Sequence, residues 1–154
     1  MHLVLSRVPN CDLVIVPSTR DLTHLLPMPQ APFQCSSVAI FAPNPCYISA
    51  NDYRICISTA DIVKEICTGS CFRASHPINR IKQAFNELLE QRSLHPFCPT
   101  ATPVDFQLLE SMQLPDSPDV LIVPSRMACL VDFVGDTLCA NPGSLAKDTE
   151  AGVI

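Results

Sequence analysis

Residues 118–145, PDVLIVPSRMACLVDFVGDTLCANPGSL, do most to limit what this chain can fold into. Val120, Leu121, Ile122 and Val123 form a run long enough for a strand buried on both faces and too short for a helix. Pro124-Ser125 ends it. Two apolar runs follow with Gly135-Asp136 between them, a pair that can turn the chain back as a hairpin. Asn141-Pro142-Gly143 then marks a turn, because Pro fixes φ and Gly accepts φ > 0. Residues 11–16, CDLVIV, repeat the theme and also end in Pro-Ser, at Pro17-Ser18. Residues 12–18 and 119–125 are near copies with nothing similar around them, as expected of two core strands ending at one edge of a sheet. Loops at the carboxyl ends of such strands are where α/β folds place their sites.

The rest of the chain supplies hairpins and helices. Pro27, Pro29 and Pro32 enforce an extended loop. A short strand is expected over 38–42. Strands over 46–48 and 54–58 flank Asn51-Asp52, a hairpin signal. Ser58 or Thr59 is placed to cap a short helix over 60–67 that Gly69 closes. The strongest helical pattern covers 75–92, with Ser75 as N-cap and Pro77 in the first turn. Its Ile78, Ile81, Phe85, Leu88 and Leu89 recur at spacings of three and four and make one apolar face. A second short helix over 104–112 stops before Pro115.

With 154 residues, 47% of them apolar, the chain can form one domain or part of a larger one. Only 16% are charged, against about 25% in ordinary domains, which suggests that part of the surface is covered by something else. Net charge is −5, and the ten Lys and Arg are scattered. A sequence-independent nucleic-acid binder clusters its cations against phosphates, so direct nucleic-acid contact by this segment is not expected. The nine cysteines include one CxxxC pair, Cys67 and Cys71, but no CxxC and no Cys/His cluster of zinc-finger spacing. They read as free thiols acting as small buried hydrophobes. The first residues lack the layout of a secretory signal, and no run is long enough to span a membrane. A reducing compartment is expected. His24 reads as a loop histidine and not as a metal ligand.

Three patterns then stand in order along the chain. The first is VPSxRDxxH followed by PxPxxPF: Val16, Pro17, Ser18, Arg20, Asp21, His24, Pro27, Pro29, Pro32 and Phe33. The second is QRSxxPxxP, from Gln91, Arg92 and Ser93 to Pro96 and Pro99. The third is the DVLIV strand with Asn141-Pro142-Gly143-Ser144. Together they resemble the accessory B subunits of DNA polymerases, in particular that of polymerase alpha–primase, which have a calcineurin-like metallophosphoesterase fold with lost ligands. In active phosphoesterases the later strand leads to Gly-His-x-His and the earlier one to Gly-Asn-His-Asp/Glu. Pro124-Ser125-Arg126-Met127 and the loop from Pro17 to Asp21 hold those places here.

The resemblance implies an α/β fold, the C-terminal half of a calcineurin-like metallophosphoesterase sandwich with mixed sheets flanked by helices. Residues 1–154 would then be a partial domain, with its N-terminal half and the oligonucleotide-binding-type domain absent. Strands over 13–16 and 120–123 would be short of neighbours in such a piece. It implies a nuclear, non-catalytic subunit without cofactor or metal. Its partners would be the C-terminal region of the polymerase alpha catalytic subunit and, through it, primase, at the initiation of DNA replication. Candidate contact residues are Pro17, Ser18, Arg20, Asp21, His24, Pro124, Ser125, Arg126, Asn141, Pro142 and Gly143. One alternative is the corresponding accessory chain of polymerase epsilon or delta. Another is a metal-dependent phosphoesterase, which is opposed by the need for clustered His, Asp and Asn ligands. No GxSxG of a serine hydrolase occurs.

Overall fold

The structure, a computed structural model, describes residues 11–22, 26–35, 39–70, 79–96, 98–143, 146–147 and 150–151. Strands β1 (Val14–Ile15), β2 (Ile40–Phe41), β3 (Cys46–Ala50) and β4 (Tyr53–Ile57) come first, then helices α1 (Ile62–Gly69) and α2 (Arg80–Glu90). A 3-10 helix (Phe106–Met112), β5 (Val120–Ile122), β6 (Leu130–Val134), β7 (Thr137–Asn141) and the short pair β8 (Ala146–Lys147) and β9 (Glu150–Ala151) follow. The centre is a five-stranded mixed sheet in the order β3-β4-β5-β7-β6. β5 runs parallel to both neighbours, and an antiparallel hairpin closes each edge. The chain turns from β3 to β4 at Asn51 (φ 49) and Asp52 (φ 70), both left-handed as a two-residue hairpin turn needs. Gly135 (φ 59) does the same between β6 and β7.

Register decides which side chains are buried. Cys56, Leu121 and Cys139 line up across β4, β5 and β7, and all are fully buried. Ile62, Val63 and Ile66 of α1 and Ile81, Ala84, Phe85 and Leu88 of α2 complete one core cluster with them. Phe85 and Leu88 have no exposed surface, and truncating a buried Phe of this kind to Ala costs about 3–5 kcal/mol. The architecture is α/β, with a mixed sheet and few helices, and is compatible with part of a metallophosphoesterase-like sandwich. Among the described residues no helix is long and apolar enough to cross a membrane.

Several expectations change. β1 is shorter than expected and only half-buried. It pairs with β2 alone, in a two-stranded sheet separate from the one that holds β5. The near-identical sequences at 12–18 and 119–125 therefore occupy different sheets, since pairing depends on available neighbours and not on the strand alone. β5, by contrast, has neighbours on both sides. α1 is not capped by Ser58 or Thr59: Asp61 takes the cap position, and the Thr59 hydroxyl bonds elsewhere, to the Pro17 carbonyl. α2 begins at Arg80, because the Asn79 side chain accepts the N–H groups of Ile81 and Lys82 and so satisfies two orphan donors. Ser75, Pro77 and Ile78 lie outside the described residues. The segment expected as an α-helix over 104–112 is 3-10, with a break at Leu108 (φ −110, ψ 17). Its Phe106, Leu108 and Leu109 are exposed and Met112 alone is buried, too little apolar contact to support an α-helix. Cys46, Cys56, Cys67 and Cys139 are buried free thiols, but Cys11, Cys35, Cys98 and Cys129 are exposed. Burial pushes the Cys56 and Cys139 thiols up to about 12, which keeps them protonated and inert. Cys71 is outside the described residues.

The sheet face turned away from α1 and α2 is apolar from strand to strand. Ile55 and Ile57 of β4, Val120 and Ile122 of β5, and Leu138 and Ala140 of β7 share it and are half-buried. On the edge strand β6, Val131 and Phe133 are 52% and 60% exposed. Continuous apolar faces of this kind promote association. At tens of micromolar the 154-residue chain is expected to self-associate, and Val131→Lys with Phe133→Lys should shift it towards monomer. Size-exclusion chromatography with light scattering checks this. A monomeric wild type would mean that the face is covered within the chain.

Candidate functional site

The two loops singled out by their sequence are each fastened by a buried asparagine. Asn141, at the end of β7, is fully buried. Its Oδ1 accepts the N–H groups of Ser125 (2.7 Å) and Gly143 (2.9 Å), and its Nδ2 donates to the Ala128 carbonyl (2.9 Å). One carboxamide thus fixes both ends of the loop that follows β5. Gly143 has φ +76, and a Cβ there would lie 2.8 Å from Cys129 Sγ, so the turn requires glycine. The Ser125 hydroxyl accepts the Met127 N–H (3.2 Å).

The loop after β1 is held in two ways. Internally, the Ser18 N–H donates to Asp21 Oδ2 (2.7 Å) and the Asp21 N–H donates back to the Ser18 carbonyl (3.0 Å). Externally, the Thr59 hydroxyl donates to the Pro17 carbonyl (2.6 Å). Asn44, also fully buried, fixes Thr59: its Oδ1 accepts the Thr59 N–H (3.0 Å), and its Nδ2 donates to the Thr59 hydroxyl (2.6 Å) and to Gln30 Oε1 (2.9 Å).

Both loops border one cleft of about 360 Å³ that runs along α1 from Asp61 to Thr68. Thr19 and Arg20 reach it from the first loop and Arg126 from the second, with Asp61, Lys64 and Glu65 on the α1 side and Thr102 opposite. The Arg126 N–H donates to Asp61 Oδ2 (3.2 Å), joining the second loop to α1. Pro17, Ser18 and Asp21 shape the first loop from behind. Asn141, Pro142 and Gly143 anchor the second loop and are not among the cleft-lining residues. His24 lies outside the described residues.

Glu65 forms the polar wall. Its carboxylate accepts from the Thr102 and Thr100 hydroxyls and from the Ala101 and Thr102 N–H groups. Burial alone would raise its pKa. The hydrogen bonds from Thr102, Thr100 and Ala101, with nearby His95, outweigh that and hold the carboxyl below the usual range. His95, 5% exposed, sits 2.6 Å from Thr100 Oγ1 through Nε2. Burial lowers the His95 pKa, opposed by Glu65. Sequence reading overlooked this wall and the clip at Asn44. The available signal was a lone glutamate beside the buried Ile62, Val63 and Ile66, together with Thr100-Ala101-Thr102 between two prolines. Among the described residues no three His, Cys, Asp or Glu are grouped to hold a metal ion.

Two outcomes follow from these anchors. Asn141→Ala leaves the buried Ser125 N–H without its acceptor and should cost about 2–4 kcal/mol, read as a lower urea midpoint; an unchanged midpoint would show the loop to be held otherwise. For His95 the folded pKa is depressed, so the unfolded chain gains a proton first as pH falls below about 6.5, and stability drops. For the depressed Glu65, stability is present above the ordinary carboxylate value and is lost as pH falls through the folded one. Both act in one direction. The urea midpoint should therefore fall steadily as pH falls from about 6.5, and His95→Gln should flatten the upper part of that fall.

Comparison with known sequences places this geometry in a family. Residues 2–131 match the sequence model of the DNA polymerase alpha/epsilon B subunit. The chain is 31% identical over 157 aligned residues to the DNA polymerase alpha B subunit of Mus musculus, covering 96% of this chain and 26% of that protein. The corresponding protein of Dictyostelium discoideum is 29% identical over 133 residues, covering 82% and 21%. That of Schizosaccharomyces pombe is 27% identical over 157 residues, covering 93% and 27%. The chain spans about a quarter of the length of these curated relatives. Taken with the patterns around Pro17 and Asn141, the match over residues 2–131 means that the chain belongs to the family of DNA polymerase alpha/epsilon B subunits.

Proposed function

We propose that this chain is part of a non-catalytic accessory subunit of DNA polymerase alpha–primase, acting in the nucleus as a scaffold for the catalytic subunit when replication starts. The relatives described above all carry the name of the polymerase alpha B subunit, which gives no support to the epsilon or delta alternative. The observation that carries the reading lies in the two loops. Where active phosphoesterases place metal ligands, this chain has turns closed by Ser18, Asp21, Ser125 and Asn141. Side chains that would hold two ions and activate water are replaced by groups that stiffen a surface. Stiff loops on a rigid scaffold suit contact with a partner, because little conformational freedom is lost on binding. Arg20 and Arg126 are the exposed charged side chains those loops present, and Arg is favoured at interfaces. The partner surface is assigned to the C-terminal region of the catalytic subunit, with primase reached through it. No direct nucleic-acid contact is assigned to this segment, in keeping with a net charge of −5.

The test uses a full-length subunit that contains this segment. It should capture the catalytic subunit's C-terminal region without DNA, and Arg20→Ala with Arg126→Ala should weaken capture about tenfold, equivalent to about 1.4 kcal/mol. The same preparation should not hydrolyse p-nitrophenyl phosphate with Mn²⁺ present. Failure of the wild type to capture the catalytic subunit, or EDTA-sensitive turnover that follows the pure protein, would overturn the reading.

A further inference from the structure

We propose that the cleft between the two loops receives a carboxylate side chain from an acidic segment of a partner protein. The proposal deepens, and rests on, the accessory-subunit reading. Its basis is the distribution of unused positive charge. Arg54 bonds Asp116 and the Ser117 carbonyl, Lys82 bonds Asp132, Arg80 bonds the Cys67 carbonyl, and Arg92 reaches the Pro115 carbonyl. Arg20, Lys64 and Arg126 make no side-chain hydrogen bond or ion pair among the described residues, and all three line this one cleft. They are also exposed. Three cations gathered at one opening repel each other unless an anion joins them.

Of the two acids that line the cleft, Glu65 has both oxygens hydrogen-bonded and Asp61 only one. The Glu65 carboxylate is taken up by the Thr100 and Thr102 hydroxyls and by the Ala101 and Thr102 N–H groups. Asp61 Oδ2 accepts the Arg126 N–H, and its Oδ1 is buried without a hydrogen-bond partner among the described residues. Neither carboxylate forms an ion pair with Arg20, Lys64 or Arg126. Both still contribute charge, so the cations outweigh the acids by one. That balance suits a single carboxylate and not a run of phosphates. A nucleic-acid strand calls for a groove with repeated cations and stacking aromatics, whereas no aromatic side chain lines this cleft and its volume, about 360 Å³, fits one or two side chains. A guanidinium matches a carboxylate through two parallel hydrogen bonds, and Arg20 and Arg126 stand on loops that the asparagine clips hold still.

The experiment uses the 154-residue chain and a fluorescein-labelled peptide of alternating Asp and Gly. A matched Asn/Gly peptide and a labelled single-stranded oligonucleotide serve as comparisons, and inorganic phosphate as competitor. The acidic peptide should bind at least tenfold more tightly than the amide peptide and more tightly than the oligonucleotide, and should weaken as salt rises. Phosphate should compete only at millimolar concentration or above. Arg20→Gln, Lys64→Gln and Arg126→Gln combined should lower peptide binding at least tenfold, with Arg54→Gln as a control that leaves it unchanged. These side chains are exposed, and an unchanged circular dichroism spectrum establishes that the variants fold. Arg126→Lys should keep more binding than Arg126→Gln. Equal binding of the two peptides, preference for the oligonucleotide, or no loss in the triple variant would overturn the proposal. The wild-type capture assay keeps the two readings apart. Capture of the catalytic subunit without selectivity for the acidic peptide removes only the cleft inference, while failure of capture removes the accessory reading itself.

Discussion

The Asn141 carboxamide is the constraint on which the arrangement around β5 depends. Buried amide groups in the loop after a buried strand need partners, and Ser125 is such a group. A single side chain supplies an acceptor for Ser125 and Gly143 and a donor for Ala128. Its own burial is tolerable only because its oxygen and nitrogen are both used. Asn44 solves the same problem for the loop after β1, acting through Thr59. Two loops from separate sheets are thereby brought to one cleft by the same chemistry, although their strands do not pair.

This arrangement lets the two loops keep their shape through hydrogen bonds of their own. In a two-metal site the ions themselves tie neighbouring loops together. Here hydrogen bonds within and beneath the loops do the tying, and the outward side chains are left free to vary. The Glu65 wall contributes in a different way. Its carboxylate stays ionised beside His95 because hydroxyl and amide donors compensate for its desolvation, so the cleft keeps a fixed polar lining.

Much of this was legible in the sequence, and the gaps have physical reasons. The β3–β4 and β6–β7 hairpins could be read because Asn51-Asp52 and Gly135-Asp136 carry their turn preference locally. The apolar face of α2 was equally visible, since Ile81, Phe85 and Leu88 fall at helical spacing. Its start was not, because Ser75 and Asn79 are both competent caps and sequence does not rank them. β1 and β5 looked alike because their residues are alike, while sheet membership is settled by tertiary neighbours such as Ile40 and Leu138. The loops bearing Arg20 and Arg126 were recognisable from pattern. The wall behind them was not, because Glu65 and Thr102 are far apart in sequence and only folding makes them partners. Half of the described cysteines departed from expectation for a similar reason: hydrophobicity favours burial but does not assign a place.

The parallel pairing of β4 with β5 also sets a timetable. Ile55 and Val120 are partners some 65 residues apart in the chain, whereas each edge hairpin joins neighbours across a two-residue turn. Local hairpins close in microseconds, but a long-range parallel contact must first overcome the entropy of a large loop. A nascent chain can therefore form the β3–β4 hairpin long before β5 leaves the ribosome, and until then the inner edge of β4 is an open strand. α1 and α2, made in the interval, are the elements available to shelter the Cys56 side of β4. The central strand is thus the last piece of the sheet's left half and the first of its right, and synthesis order makes it the point where the two halves become one.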